Sequence, residues 1–339
     1  MNNLLDPAIL FFVFGVLAGA LRSNLEIPPA IAKFLSLYLL MALGLKGGFA
    51  LAASGLNASV LSALGAAVAL AFIVPALGYA VLRHRVQKFD AAAVAASYGS
   101  VSAVTFVAAM QYLESQQLAV GGHMAVAMVL MESPAIIMAV LLASRLRHAA
   151  ASAPVGVSGG ALVLGAPAAP AAPAGPSIGK ILHESFTDGA HLLLLGAMAV
   201  GYLSGEAGQA VMKPFSGDLF KGMLAFFLLD MGLMVARRFG EARQQSPLLM
   251  VYAVVGPVVH AGIALAMGWL LGLTAPDTAL LMVLAASASY IVVPAVLRYA
   301  IPEANPSLYF GLSLGITFPF NLLVGIPLYT TAATRVLGG

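Results

Sequence analysis

The chain has no cysteine in 339 residues, which removes disulfides, thiolate nucleophiles and thiolate metal sites together. Charge is also scarce. Only 9% of residues are Asp, Glu, Lys or Arg, against roughly a quarter in an ordinary soluble domain. There is no phosphate-binding Walker loop to drive a primary pump, no nucleophile elbow and no His-rich ligand spacing, so an enzyme is not expected. The net charge of +3 does not signal nucleic acid, because the basic residues stand singly or in short runs at the ends of apolar stretches. Met1–Asp6 lacks the basic region of a secretory leader, so the first apolar run is expected to be retained as a helix.

What the chain has instead is apolar surface. With 61% hydrophobic residues, no soluble core could hide it, and the bilayer must act as solvent. A membrane span needs about 20 apolar residues, and about ten segments qualify: near 7–21, 29–53, 58–82, 90–112 and 122–146, then 189–205, 216–236, 248–271, 277–298 and 307–333. The fold expected is an all-α polytopic membrane protein. Residues 1–148 form a first transmembrane repeat, 149–188 a cytoplasmic Pro/Ala/Gly-rich linker, and 189–339 a second, inverted repeat. The composition of the linker, with Pro alternating with small residues over Ala166–Pro176, cannot bury a core. Most basic residues, from Arg22 and Lys33 through Arg83, Arg147 and Arg238 to Arg298, fall on one side, and Lys213, Lys221 and Arg335 on the other. That asymmetry predicts a cytoplasmic linker and both termini outside, and the expected setting is a bacterial inner membrane.

The halves read as copies. A shift of 187 residues brings Asp90 onto Asp277, Ser100 onto Ser287, Ser102 onto Ser289 and Tyr112 onto Tyr299. A shift of 188 brings Gly44 onto Gly232. An odd number of spans per half turns the second copy upside down, a common build in secondary transporters.

Two stretches at equivalent mid-span positions concentrate the chemistry. Gly99, Ser100, Val101, Ser102 and Ala103 face Ser287, Ala288, Ser289 and Tyr290 across the repeat, with Gly99 and Pro294 as local helix breakers. Broken helices meeting mid-membrane aim free N–H groups and positive dipole ends at a common point, which suits a small anion. The competing reading is that small residues only allow close helix packing. Glu132, before Ser133-Pro134, is an acid inside a span, and such residues default to functional hypotheses. Its repeat partner region carries Thr317 and Asn321; the three together offer oxygen ligands for a hard cation such as sodium. Lys46 and Asp230 are read as a structural pair across the repeat, and His260 as a hydrogen-bonded buried histidine.

At these stretches the chain resembles the sodium-dependent bicarbonate transporter (SbtA) family. The likeness rests on Gly99-Ser100-Val101-Ser102, on Met131-Glu132-Ser133-Pro134-Ala135, on Ala285-Ala286-Ser287-Ala288-Ser289, on Leu43-Gly44-Leu45-Lys46-Gly47-Gly48 and, most specifically, on Ile301-Pro302-Glu303-Ala304-Asn305-Pro306-Ser307. The resemblance implies ten helices in two inverted repeats of five, a core domain moving against a gate domain, and a homotrimer. It implies bicarbonate or a similar small anion held between the two broken helices, with sodium beside it and no other cofactor. It also implies a cytoplasmic PII-like regulator as a further partner. Where the family carries an acid after the second serine-rich stretch, this chain has Tyr290. Alternatives remain open at this level: a transport-inactive membrane sensor or scaffold, or a permease for another small monocarboxylate.

Overall fold

A computed structural model describes residues 5–55, 57–151, 189–243 and 245–338. All regular structure in these residues is helical. Most of the 149–188 linker therefore lies outside the described residues, and only its first three residues are seen, closing a helix. Seven segments of the described chain are long and apolar enough to cross a membrane, so the protein is a polytopic membrane protein.

The helices are α1 (Pro7–Ala20), α2 (Pro29–Ser54), α3 (Ala58–Leu82), α4 (Lys88–Gly99), α5 (Ala103–Ser115) and α6 (His123–Ala151), followed by α7 (Gly189–Lys213), α8 (Leu219–Arg243), α9 (Pro247–Leu270), α10 (Ala275–Ala286), α11 (Val292–Ala300) and α12 (Pro306–Leu337). Their starts follow ordinary capping chemistry. Asp6, Asn57, Ser246, Thr274 and Asn305 each offer a side-chain oxygen to an otherwise free first-turn N–H. Gly205, with φ of 54°, breaks α7 where the apolar run ends, and a π-turn at Pro214–Asp218 leads into α8. Two further π-turns, Ser313–Thr317 and Asn321–Gly325, interrupt α12.

In lipid, helix pairs gain little from hydrophobicity and rely on close approach. The two most extensive pairings, α1 with α8 and α2 with α7, both use glycine for it. A Cβ on Gly15 would strike the Leu229 carbonyl, and one on Gly48 the Met198 carbonyl. The glycine matched by the shift of 188 takes part on each side, Gly44 against α7 and Gly232 against α1.

The two aspartates matched by the shift of 187 also do the same work. Asp90, at the start of α4, accepts a hydrogen bond from the Asn305 N–H at 2.8 Å, just before α12. Asp277, at the start of α10, accepts one from the Gly121 N–H at 2.8 Å, just before α6. Each half thus ties down a turn of the other. Asp90 sits at the end where Arg147 grips Glu303 (2.8 and 2.9 Å) and Arg237 reaches the Leu25 carbonyl (3.3 Å), and which carries most of the basic residues. Asp277 sits at the opposite end, with Lys46 and Glu114. Lys46 pairs with Glu114 of α5 at 2.9 Å, over the Phe220 ring, rather than with Asp230 as expected from the sequence. The difference follows from depth, since Lys46 lies eight residues from the C-terminal end of α2 and reaches the rim.

Candidate functional site: a cavity at two crossing breaks

Two spans are interrupted: α4 stops at Gly99 and resumes as α5 at Ala103, and α10 stops at Ala286 and resumes as α11 at Val292. Breaking a helix inside a membrane frees backbone groups, and each must find a partner. The two breaks supply partners to each other. The Ser289 N–H donates to the Ser97 carbonyl at 2.8 Å, and the Ser97 hydroxyl returns to the Ser289 carbonyl at 2.6 Å. The Ser102 N–H donates to Ser287 Oγ at 3.0 Å, and that hydroxyl donates to the Leu284 carbonyl at 2.9 Å. All four serines are at most 5% exposed. The serine stretches therefore meet deep in the protein, as their equivalence in the sequence predicted.

A cavity of about 100 Å³ opens beside the crossing. A water's share of liquid volume is about 30 Å³, so the space suits a small oxyanion with a water or two. Its walls come from both breaks, through Val101, Ser102, Ala103, Ser289, Tyr290 and Ile291, and from Met128 and Glu132 of α6, Ser36 and Leu40 of α2, and Ala190 and His191 of α7. Because Ala190 and His191 open α7, the cavity lies toward the basic end of the molecule.

The expected site residues divide here. Val101, Ser102, Ala103, Ser289, Tyr290 and Glu132 line the cavity. Gly99 does not; it lies against the ring of Pro75, where any Cβ would collide at 2.6 Å. Ser100 is fully buried with its hydroxyl unpartnered, and Ser287 serves the crossing itself. Neither of these lines the cavity, nor does Ala288. Pro294 does not make the break; it sits in the first turn of α11, where the missing N–H costs nothing.

Glu132 does not gather with Thr317 and Asn321. Its carboxylate closes on Nε2 of His191, a residue that the sequence reading did not single out. An acid within a membrane span needs a partner, and the His191 imidazole is the one this fold gives it. Thr317 Oγ1 donates to the Ala253 carbonyl at 2.7 Å and accepts from the Tyr98 hydroxyl at 2.6 Å. The Asn321 amide donates to the Ala286 carbonyl at 2.7 Å and accepts from Tyr329 at 3.0 Å. Both side chains brace the breaks from behind, and Asn321 caps the C-terminal end of α10. Among the described residues, no three His, Asp, Glu or Cys side chains converge as a metal group.

The cavity's polar groups are mostly hydroxyls, which can donate as well as accept, beside the Glu132–His191 pair. The α5 N-terminus points at it, with Ala103 and Val104 in the wall and Ser102 as N-cap accepting from Thr105. Tyr290 is 6% exposed, and its hydroxyl lies beside Ser102 without completing a hydrogen bond of ordinary geometry. A buried hydroxyl with no partner is costly unless something else fills the role.

A buried pocket lined by hydroxyls and one helix N-terminus, where two interrupted helices cross, is the anatomy of a membrane carrier for a small solute. The chain matches the Na+-dependent bicarbonate transporter superfamily over residues 7–334, nearly its whole length, and belongs to it. It is a transporter-family protein and not an enzyme. No curated protein matches the chain.

Proposed function

We propose that the protein is an elevator-type secondary transporter that carries bicarbonate, or a closely similar small anion, in the cavity between the two breaks. The observation that carries this reading is the unpartnered Tyr290 hydroxyl beside the α5 N-terminus, which together offer a neutral donor and a positive dipole end to one oxyanion. Ten spans in two inverted repeats underlie it. The reciprocal aspartate contacts, the matched glycine pairings and the two crossing breaks support that arrangement. The helices α1, α2, α7 and α8 then form the gate, and the remainder the core that moves against it. With the basic end cytoplasmic, the cavity belongs to an inward-facing state. The homotrimer and the PII-like cytoplasmic regulator implied by the family belong to the same reading.

Sodium coupling is weak or absent in this reading. Tyr290 brings a phenol where the family has an acid, Glu132 is already paired with His191, and Thr317 and Asn321 are committed to the scaffold. A hard cation prefers several oxygens with at least one carboxylate, and among the described residues no other acid lines the cavity. Uptake of labelled bicarbonate into proteoliposomes, with and without an inward sodium gradient, tests both parts. Uptake that depends little on sodium is the expected result. No uptake of bicarbonate would overturn the substrate, and steep sodium dependence would return the cation to Glu132.

A further inference from the structure

A groove of about 410 Å³ runs along the outside of the protein between α3 and α9. Its walls are apolar and largely exposed, with Leu77, Val81, Val251 and Val255 between 43% and 60% accessible. Gly78 and Gly256 lie along it and make room for the Tyr252 side chain, which a Cβ at either position would meet at 2.6 and 3.3 Å. Leu248 stands at one end and His260 at the other, twelve residues apart on α9, which at about 1.5 Å per residue gives about 18 Å. That is close to the depth of one leaflet, half of a hydrocarbon core about 30 Å thick.

The two ends differ. The Leu248 end is the basic end of the molecule, and Arg85 forms part of the rim there. Among the described residues no acidic side chain pairs with Arg85. Arg83 and Lys88 flank it on the same turn. The Tyr252 hydroxyl, one helical turn in from the rim, and Nδ1 of His260, at the deep end, are buried without a hydrogen-bond partner. His260 is thus not the satisfied buried histidine expected from the sequence. An apolar slot one leaflet deep, ending at an unpaired cation at headgroup height, has the shape and charge of an amphiphile with an anionic head.

We propose that this groove holds one anionic phospholipid of the leaflet at the basic end, with an acyl chain between α3 and α9 and its phosphate on Arg85. The lipid fills a seam between the two halves of the chain that protein side chains leave open. It is separate from the anion cavity and shares no residue with it.

The test uses the full-length protein, purified in detergent and stripped of native lipid. It is titrated with dioleoyl phosphatidylglycerol or dioleoyl phosphatidylcholine and read by native mass spectrometry for lipids retained per chain. One tightly retained phosphatidylglycerol is expected, preferred over phosphatidylcholine by about fivefold, since a basic residue near the surface contributes about 1 kcal/mol toward an anionic lipid. Arg85→Gln should keep the lipid but lose the preference. Val255→Trp, at a 51% exposed position in the groove wall, should fill the groove and lose retention, and Val259→Trp should repeat that result deeper in. Equal retention of both lipids by the unmodified protein overturns the proposal. So does unchanged retention in both tryptophan variants. A tryptophan variant that changes only the oligomeric state would assign the groove to a second copy of the chain instead.

Discussion

The first break, Ser100–Ser102, is short and made of small side chains, whereas the second, Ser287–Ile291, is longer and brings in the ring of Tyr290. Their anchoring differs as well. The end of α10 is held from behind by Asn321, and Ser287 closes on its own helix while accepting from Ser102. The end of α4 is held differently: Thr317 takes the Tyr98 side chain rather than a backbone carbonyl, the Ser97 carbonyl is taken by Ser289 across the crossing, and the Ser100 hydroxyl has no hydrogen-bond partner among the described residues. The second break is therefore the fixed one, carrying the donor that distinguishes this chain. The first break supplies the helix N-terminus and the compliance. Two breaks of similar sequence thus need not do the same work: one side holds and the other receives.

The largest effect expected from this contrast is on stability. Asn321→Leu strands both the Ala286 carbonyl and the Tyr329 hydroxyl, at about 1–3 kcal/mol each, so thermal unfolding in detergent should shift by about 3 kcal/mol in total. Ser97→Ala removes one bond of the first break and should cost about 1 kcal/mol. If Ser97→Ala proved the more damaging, the assignment of the fixed and compliant sides would be reversed.

The next effect is on the substrate. Tyr290→Phe keeps the ring packed on Phe318 but removes the donor, and half-saturation for bicarbonate should rise about tenfold at unchanged melting temperature, a loss of about 1.4 kcal/mol. An unchanged half-saturation would show that the second break does not touch the anion. Tyr290→Asp restores an acid, and uptake should then become dependent on sodium; uptake indifferent to sodium would move any cation site away from this break.

The smallest effect lies outside the membrane, at the connection that follows the second break. Arg147 holds the Glu303 carboxyl below its ordinary range, chiefly by hydrogen bonding. A depressed carboxyl contributes stability above its unfolded pKa and loses it as pH falls through the lower, folded one. The pair is more than one-third exposed on the glutamate side, so solvent screening limits it to less than about 1 kcal/mol. The melting temperature of Glu303→Gln should sit slightly below that of the unmodified protein at neutral pH, and the gap should close in acid. A gap that persists at pH 3 would mean the charge is not what matters there.

Much of the scaffold was legible because its signals are local. Apolar runs mark spans, and the run ending near 205 stops at a glycine that does break the helix. The serine stretches were legible because they recur at one spacing. His191, Ser36 and Ser97 were not. Each is a single polar residue in an apolar helix, and its meaning comes from a neighbour far away in the chain: Ser97 meets Ser289, 192 residues on. Gly99 was misread for a related reason. A glycine needed to clear Pro75 looks the same in sequence as one needed to approach a substrate. Thr317 and Asn321 carry the right atoms for a cation, but composition does not say which way an oxygen is already committed.

The reciprocal contacts of Asp90 with the Asn305 N–H and of Asp277 with the Gly121 N–H bear on how the chain is made. A ribosome delivers the N-terminal half first. That half leaves synthesis with the Asp90 carboxylate, the Gly121 amide and the Ser97 carbonyl all short of the partners that the finished protein gives them. Insertion can place these helices in the bilayer, and α3, α4 and α6 can pack on one another, but these polar groups stay open until the residues around 277–305 arrive. Maturation is thus decided late, by a stretch near the end of translation. A nascent chain stalled before it would present open polar groups in lipid, the feature by which membrane quality control could tell an unfinished copy from a complete one.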